Sequence, residues 1–382
     1  MGAAMHDDPE LRRLRERLLD AGRTGTPLAI RGQGSKAGLA PDDARPAAQA
    51  EPLDLTRLRG ISAHEPSELV VTVRAGTPID ELDAALAAAG QHLAFEPPRL
   101  ATPGAGGRGT VGGMVAAGLS GPARMAAGSV RDHVLGVTLL DGRGELLSFG
   151  GQVMKNVAGY DVSRLMAGSW GRLGVLCEVS LKVLPAPVAC GTRRFAMGQT
   201  EALSAVTAWS RRPLPLQASA WHDGVLTVRL AGARAAVDAA CQALGGDEVP
   251  VADAAAFWSS LRDRTHALWR YAAQGLPAGT RLWRLAVAPH APSLRLRGHG
   301  LIEWHGGQRW WLSDEPPEAV HAAARAAGGH AECHAGHAGH APGQPRAAPL
   351  PPVQAAIERR LRQTFDPHGL FTPAPDASAA AR

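Results

Sequence analysis

Cysteine is scarce in this chain of 382 residues: there are four, Cys177, Cys190, Cys241 and Cys333. No two are spaced as C-x-x-C, which argues against an iron–sulfur cluster or structural zinc site within the chain, and nothing suggests a disulfide framework. Aromatic residues make up only 4%. No apolar run approaches the roughly 18 residues that a membrane-spanning helix needs. The opening stretch is charged from His6 onward and reads as an amphipathic helix rather than a secretory signal. It also misses the myristoylation pattern, because position 6 is His6 rather than Ser or Thr. These absences point to a soluble cytoplasmic protein. Charge of one sign is not massed anywhere: the net charge is +5, with arginines scattered. That balance suits an anionic ligand and is a weak signal for nucleic acid, so no nucleic-acid partner is expected.

What the chain has in quantity is Gly (45) and Pro (29), beside a hydrophobic content of 45% that speaks against disorder. The length suits two domains, each with its own core. Residues 10–22 read as a helix, and "PLAIRGQGSKAGL" as a short strand breaking into a Gly-rich turn. A strand over 68–74 and a helix over 78–89 follow, the helix capped by Thr77, with Pro78 at its first position, Asp80 and Glu81 in its first turn, and Gly90 ending it. "VLGVTLLDGRGELLSFG" reads as a hairpin around Asp141-Gly142-Arg143-Gly144. Beyond Pro187 the texture changes: residues 190–330 hold eight of the nine Trp, with helices alternating with strands that suggest a second α+β unit. Residues 329–352, rich in His, Gly, Ala and Pro, read as a surface loop, and a last helix precedes "FDPHGLF".

Three glycine-rich loops carry the functional signal. Arg31-Gly32-Gln33-Gly34-Ser35-Lys36 follows a strand and offers successive backbone N–H groups, a hydroxyl and two cations, the equipment of a phosphate nest; an ordinary glycine turn explains it equally well. Residues 101–121 hold eight glycines and a nominal G-x-G-x-x-G at Gly104, Gly106 and Gly109. Pro97, Pro98 and Pro103 exclude the buried strand that a Rossmann fingerprint must leave. What remains is backbone able to lie against a ligand, with a small-residue helix start at Val111–Ala117 whose N-terminus suits a phosphate, or else a flexible linker. The third loop holds Gly168, Gly171 and Gly174 just before the strand "VLCEVSLKVLP". Bulge, tight turn and ligand contact each account for such a cluster. Three such loops in order, separated by strands, suit a long ligand with a diphosphate in its middle.

The ordered pieces RGQGSK (31–36), VTVRAGT (71–77), TVGGMVAAGLSG (110–121), GSVRDHVLGV (128–137) and GYDVSRLMAGSWGRLGVLCEVSLKVLP (159–185) resemble the FAD-binding domain of the vanillyl-alcohol-oxidase/p-cresol-methylhydroxylase type. Together with "FDPHGLFTP" near the end, they are most similar to the FAD-binding E subunits of bacterial glycolate oxidases. The likeness is detailed over 28–187 and 355–373 and loose over 190–340. It implies an α+β fold: a two-subdomain PCMH-type FAD-binding domain (1–188), a C-terminal α+β cap domain (189–345), and a tail (346–382) returning to the FAD domain.

The resemblance assigns the pyrophosphate of FAD to Arg31, Gly32, Gln33, Gly34, Ser35 and Lys36. It places Thr110, Val111, Gly112 and Gly113, with Gly118, Ser120 and Gly121, along the flavin and ribityl chain. Ser129, Arg131 and Asp132 fall in the next flavin-side segment, and Gly168, Ser169, Gly171, Gly174 and Val175 on the adenosine–flavin side. No His lies in the 31–38 loop, so the FAD is expected to be non-covalent. Two positions depart from the family: Arg172 stands where Thr is usual, and Thr372-Pro373-Ala374-Pro375 replaces Asn-Pro-Gly-Arg. The H-x-G-D-G-N motif of larger relatives is missing; "GHGLIEWHGG" offers only His299 and His305, so no catalytic residue is assigned.

The implied activity is oxidation of glycolate or another small 2-hydroxy acid, with electrons passed on. The implied partners are a catalytic flavin D subunit and an iron–sulfur subunit, any inner-membrane contact being made through them. A non-catalytic assembly subunit and a stand-alone FAD oxidase of another substrate are the alternatives. A last candidate, His330, Cys333, His334 and His337, would form a metal-binding face if helical; a solvated loop is the favoured reading, and no metal is expected.

Overall fold

The computed structural model describes residues 8–41, 49–101, 107–151, 161–336 and 347–371. Helix α1 (Pro9–Thr24) starts at Asp8, whose carboxylate accepts hydrogen bonds from the N–H groups of Glu10 and Leu11, and ends at Gly25 in the left-handed region. Leu11, Leu14, Leu18 and Ala21 recur at helical spacing and are buried. They pack on β1 (Leu28–Arg31), which pairs in parallel with β2 (Glu51–Asp54), and on Leu55, Leu58 and Cys177.

A second core lies under a five-stranded antiparallel sheet in the order β3-β4-β8-β6-β7. Its strands are β3 (Ile61–Glu65), β4 (Val70–Arg74), β6 (Val134–Leu140), β7 (Leu146–Gly150) and β8 (Val175–Lys182), while the short β5 (Gln91–His92) pairs with β9 (Leu184–Pro185). Helices α2 (Ile79–Ala88) and α3 (Val111–Ala117) bury Ile79, Leu82, Leu86, Met114 and Val115 against this sheet. The two cores are the two subdomains expected from the sequence. The hairpin of β6 and β7 forms as predicted, with Asp141 Oδ1 accepting from the N–H groups of Arg143 and Glu145.

Two local expectations need correction. The strand expected over 68–74, β4, begins at Val70, because Pro66–Glu68 forms a 3-10 turn and Leu69 sits at φ 57. Thr77 does not cap α2: Pro78 occupies the cap position. The Thr77 hydroxyl instead accepts from the Gly60 N–H (2.9 Å) and donates to the Gly60 carbonyl (3.2 Å).

From Ala189 the chain builds an eight-stranded antiparallel sheet in the order β13-β10-β12-β11-β15-β16-β14-β17. These strands are β10 (Ala189–Ala196), β11 (Leu216–His222), β12 (Val225–Gly232), β13 (Asp247–Glu248), β14 (Arg281–Ala286), β15 (His299–Glu303), β16 (Gln308–Ser313) and β17 (His330–Gly336). Helices α4 (Gln199–Trp209), α5 (Arg234–Leu244), α6 (Val251–Arg262), α7 (Ala267–Ala273) and α8 (Pro317–Ala326) cover it. Trp258, Trp269 and Trp310 share one core with Leu282 and Leu301, and Trp283 and Trp311 share another with Val320 and Ala324.

Strand β17 overturns the loop reading of 329–352 over its first residues. It pairs antiparallel with β14, and Ala331 and Cys333 are buried on the α8 side. Alternation along a strand splits the supposed metal set: Cys333 points to one face and His330 and His334 to the other. His337 lies outside the described residues.

The last helix, α9 (Pro352–Phe365), returns to the first unit. Phe365 joins its sheet core, and Leu370 and Phe371 join the α1 core. Asp366 fixes this hook by accepting from the N–H groups of Leu370 and Phe371, both at 2.9 Å, while the Leu28 N–H donates to the Leu370 carbonyl.

Candidate FAD site and the recess beside it

The loop after β1 meets the second glycine-rich segment directly. The Thr110 side chain occupies the place that a Cβ on Gly32 would take, so glycine lets the loop lie close against Thr110. The Gly109 N–H donates to Gln33 Oε1 at 2.7 Å. Gly109 itself, at φ 105, lies over the end of the first loop, where a Cβ would stand 2.7 Å from both Lys36 Nζ and Ser35 Oγ. Loop 31–36 and residues 107–113 are therefore one surface.

The far end of α3 makes the second junction. Gly118, at φ 63, ends the helix, and a Cβ there would stand 2.9 Å from the Gly168 backbone. The N–H groups of Gly168 and Trp170 donate to the carbonyls of Val115 and Ala116. Gly171 then rests on Ile30 of β1. The three loops thus close on one another around α3. Ser120 Oγ accepts from the Val130 N–H at 3.2 Å, tying in the next segment, where Ser129 and Asp132 form a capping box. Arg131 lies exposed beside them.

Some expectations change in detail. The first three N–H groups of α3 are spent within the protein: Val111 donates to the Thr77 carbonyl, Gly112 to Ala75 and Gly113 to Thr110 Oγ1. The first three N–H groups of α3 are therefore not free to face a phosphate in this structure. Gly174 spends its freedom on packing, since a Cβ would meet the Leu140 carbonyl at 2.8 Å, and Val175 is buried in the α1 core. Ser169 is buried, and its carbonyl accepts from Arg172 Nε. Arg172 also finds a place: its guanidinium pairs with Glu358 of α9 at 2.7 Å. The nominal Gly104 and Gly106, and the altered 372–375 ending, lie outside the described residues.

Lys36 tests whether the wall fits a dinucleotide. It is only 7% exposed. Burial, then the neighbouring Arg99 and Arg264, lower its pKa to about 8. Among the described residues no carboxylate pairs with it; its contact is Ser35 Oγ at 3.4 Å. An ammonium buried in this way, inside a cradle that a Cβ would fill, fits a bound diphosphate.

Beside the wall, where Ser120 and Gly121 meet the second unit, lies a small recess of about 20 Å³. Trp304 Nε1 donates to the Gly121 carbonyl at 2.9 Å and holds the two units together there. Across from Gly121 stand Arg264, Arg284, Glu303 and Gln308. Glu303 Oε2 accepts from Gln308 Nε2 (3.0 Å) and Trp310 Nε1 (2.9 Å). Burial pushes its carboxyl up to about 7, only partly offset by those two donors and by Arg264 and Arg284. None of these residues stands out in the sequence. The available signal is a set of polar side chains inside strands that are otherwise apolar, as in "LIEWHGGQRWWLS". His305 plays a local part, its Nδ1 lying 2.8 Å from Ser219 Oγ.

A raised folded-state pKa makes Glu303 a measurable cost at high pH. The folded state holds its proton up to about 7 while the unfolded chain releases it near 4.5, so this group's favourable share is complete below 4.5 and lost by about 7. Glu303→Gln keeps an acceptor for both donors. The apo variant is expected to be at least as stable as the parent at pH 8 and to lose stability less steeply between pH 5 and 8, read by urea melts at both values.

Comparison with known proteins agrees with this geometry. The profile of a family described as an FAD binding domain matches residues 12–150. The glycolate oxidase subunit GlcE of Escherichia coli K12 is 45% identical over 349 residues, spanning 91% of this chain and 92% of that protein. The chain belongs to the GlcE family. Glycolate oxidase subunit GlcD of Bacillus subtilis is 37% identical over a stretch covering 20% of this chain and 17% of its own length. An alkyldihydroxyacetonephosphate synthase shares the fold, with a TM-score of 0.63 at 15% identity over 95% of this chain and 74% of its own. As a GlcE-family member the chain is an FAD-binding oxidoreductase subunit of α+β fold. Among the described residues no helix is long and apolar enough to cross a membrane.

Proposed function

We propose that this chain is the FAD-binding subunit of a glycolate oxidase complex, serving oxidation of glycolate to glyoxylate. The observation that carries the reading is the near full-length 45% identity to GlcE, coincident with a glycine wall closed around a buried Lys36 that has no carboxylate partner among the described residues. In this reading Arg31 to Lys36 and Gly109 hold the diphosphate of non-covalent FAD, Thr110 to Gly113 and Gly118 to Gly121 line its length, and Gly168 to Gly171 close the other side. When bound, FAD supplies two-electron acceptance coupled to one-electron release. The four cysteines sit on β8, β10, α5 and β17, away from one another in sequence and with three of them buried. Onward transfer is therefore assigned to a partner with iron–sulfur centres, beside a GlcD-like flavin subunit. Any membrane contact would be made through those partners.

The test is the visible spectrum of the purified chain, before and after anaerobic addition of glycolate. A flavin spectrum that bleaches supports the reading; a chain that stays colourless after addition of FAD defeats it. A non-catalytic assembly role is the second reading, favoured by the missing H-x-G-D-G-N motif. It requires a flavin spectrum, or none, that glycolate leaves unchanged.

A further inference from the structure

We infer that the open edge of the cap sheet, beside β10, is a docking groove for an extended segment of another polypeptide, acidic and apolar in alternation, taken up as an added β-strand. The groove has a volume of about 780 Å³ and runs along Val188 to Arg193, with α5 on one side and α6 on the other. It stands independently of the FAD and glycolate readings above.

The first argument is an unfilled lane in the sheet. On this edge β13 covers only two residues of β10, Glu248 pairing with Arg193 and Asp247 with Arg194. The Val249 N–H donates to the Thr192 carbonyl at 3.1 Å, and Pro250 then turns the chain into α6. Backbone groups alternate in direction along a strand, so the N–H and C=O of Cys190 face the same side as those of Thr192. Among the described residues no backbone group meets them there. The edge also lacks the usual protection against pairing: Val188-Ala189-Cys190-Gly191-Thr192 has neither a charge nor a proline. That stretch spans about 17 Å, the length of an ordinary strand.

The second argument is the pair of walls. A Cβ on Gly191 would stand 2.7 Å from Cys241 Sγ, so α5 sits tightly on one face of β10. Trp258 Nε1 donates to Thr192 Oγ1 at 3.1 Å and fixes α6 on the other. The third is their chemistry. On the α6 side the lining is apolar, with Ala254, Ala255 and Trp258. Val188 and Val251, also in the lining, are 76% and 84% exposed. On the α5 side it is polar, with Arg234, Asp238 and Gln242. Arg193 pairs with Glu248 and Arg229 with Glu96, but among the described residues no carboxylate pairs with Arg234. A strand with alternate apolar and acidic side chains matches both walls at once.

Fluorescence anisotropy of a tagged, end-capped peptide, Val-Glu-Val-Glu-Val, titrated with the full chain tests the groove. The peptide is expected to bind. Val-Lys-Val-Lys-Val, and the acidic peptide N-methylated at its central valine, are each expected to bind about 10-fold or more weakly. Cys190→Pro removes the outward N–H at an edge position that tolerates proline; it is expected to weaken the acidic peptide about 10-fold or more and to leave the urea melt unchanged. Arg234→Glu is expected to weaken the acidic peptide and strengthen the lysine one. No binding at millimolar peptide, equal binding of the N-methylated form, or unchanged affinity in both variants would each overturn the inference. If Cys190→Pro fails to fold, Arg234→Glu and the N-methylated peptide decide. A parent chain that sediments as a dimer, and as a monomer once Cys190→Pro is introduced, would make the occupant a second copy and defeat the assignment to another polypeptide.

Discussion

Apo Lys36→Met is expected to unfold at higher urea than the apo parent at pH 7, and to bind FAD about 10- to 100-fold more weakly. The two effects have one cause. Burial and two arginines hold the Lys36 ammonium at a pKa of about 8 against an ordinary 10.5. That difference is about 3 kcal/mol of destabilisation carried by the charged folded form. Below pH 8 both states bear the proton and the cost is complete. Between pH 8 and 10.5 the folded state sheds the proton that the unfolded state keeps, so the parent gains stability as pH rises. The advantage of the Met variant should therefore shrink over that window and be gone above it. A diphosphate would relieve the same cost in the holo-protein, so removing the charge lowers cofactor affinity. A variant no more stable at pH 7, with unchanged FAD affinity, would show that Lys36 does not face the cofactor.

Gly118→Ala is expected to be strongly damaging to the glycine wall. The residue has φ 63 and its Cβ would press on the Gly168 backbone at 2.9 Å, with no flexible side chain to yield. A left-handed conformation costs a non-glycine residue about 1–2 kcal/mol and overpacking about 1–3 kcal/mol more. Urea melts of the apo variant should show a loss on that scale, with FAD lost as well. Gly34 supplies the contrast. Its φ is 75, but nothing lies within 4 Å of its would-be Cβ. Gly34→Ala should cost only about 1 kcal/mol of stability while still reducing FAD binding, because the added methyl points into the open side of the loop. Equal stability losses at the two positions would contradict this assignment of packed and open faces.

The parts of the site that were legible in the sequence are those where backbone freedom itself is the function. Gly32, Gly109, Gly118 and Gly168 announce themselves because other residues tolerate those contacts or angles poorly, and Lys36 stands four residues after Gly32 in the same loop. Partners far apart in the chain were not legible. Arg172 is tied to Glu358, 186 positions later, and no local pattern encodes that pair. Thr77 has the features of a helix cap, but β3 brings Gly60 to its hydroxyl first. The His-rich composition hid β17, whose alternation appears only once β14 supplies an edge to pair with. Arg264, Arg284 and Glu303 come from a helix end and two strands, and they become a cluster only when the cap sheet meets Gly121.

The hook at Asp366 has a consequence for how the molecule is made. Leu370 and Phe371 fill the same core as Leu11, Leu14 and Leu18, and Leu370 accepts the hydrogen bond that anchors the start of β1. A ribosome that has delivered every residue of the glycine wall has still not supplied the side chains that seal it. The cap sheet, contiguous from Ala189 to Gly336, has all its strands sooner. The second unit therefore has its whole sheet on the nascent chain before the last side chains of the first unit's core are made, against the usual amino-to-carboxyl order of domain completion.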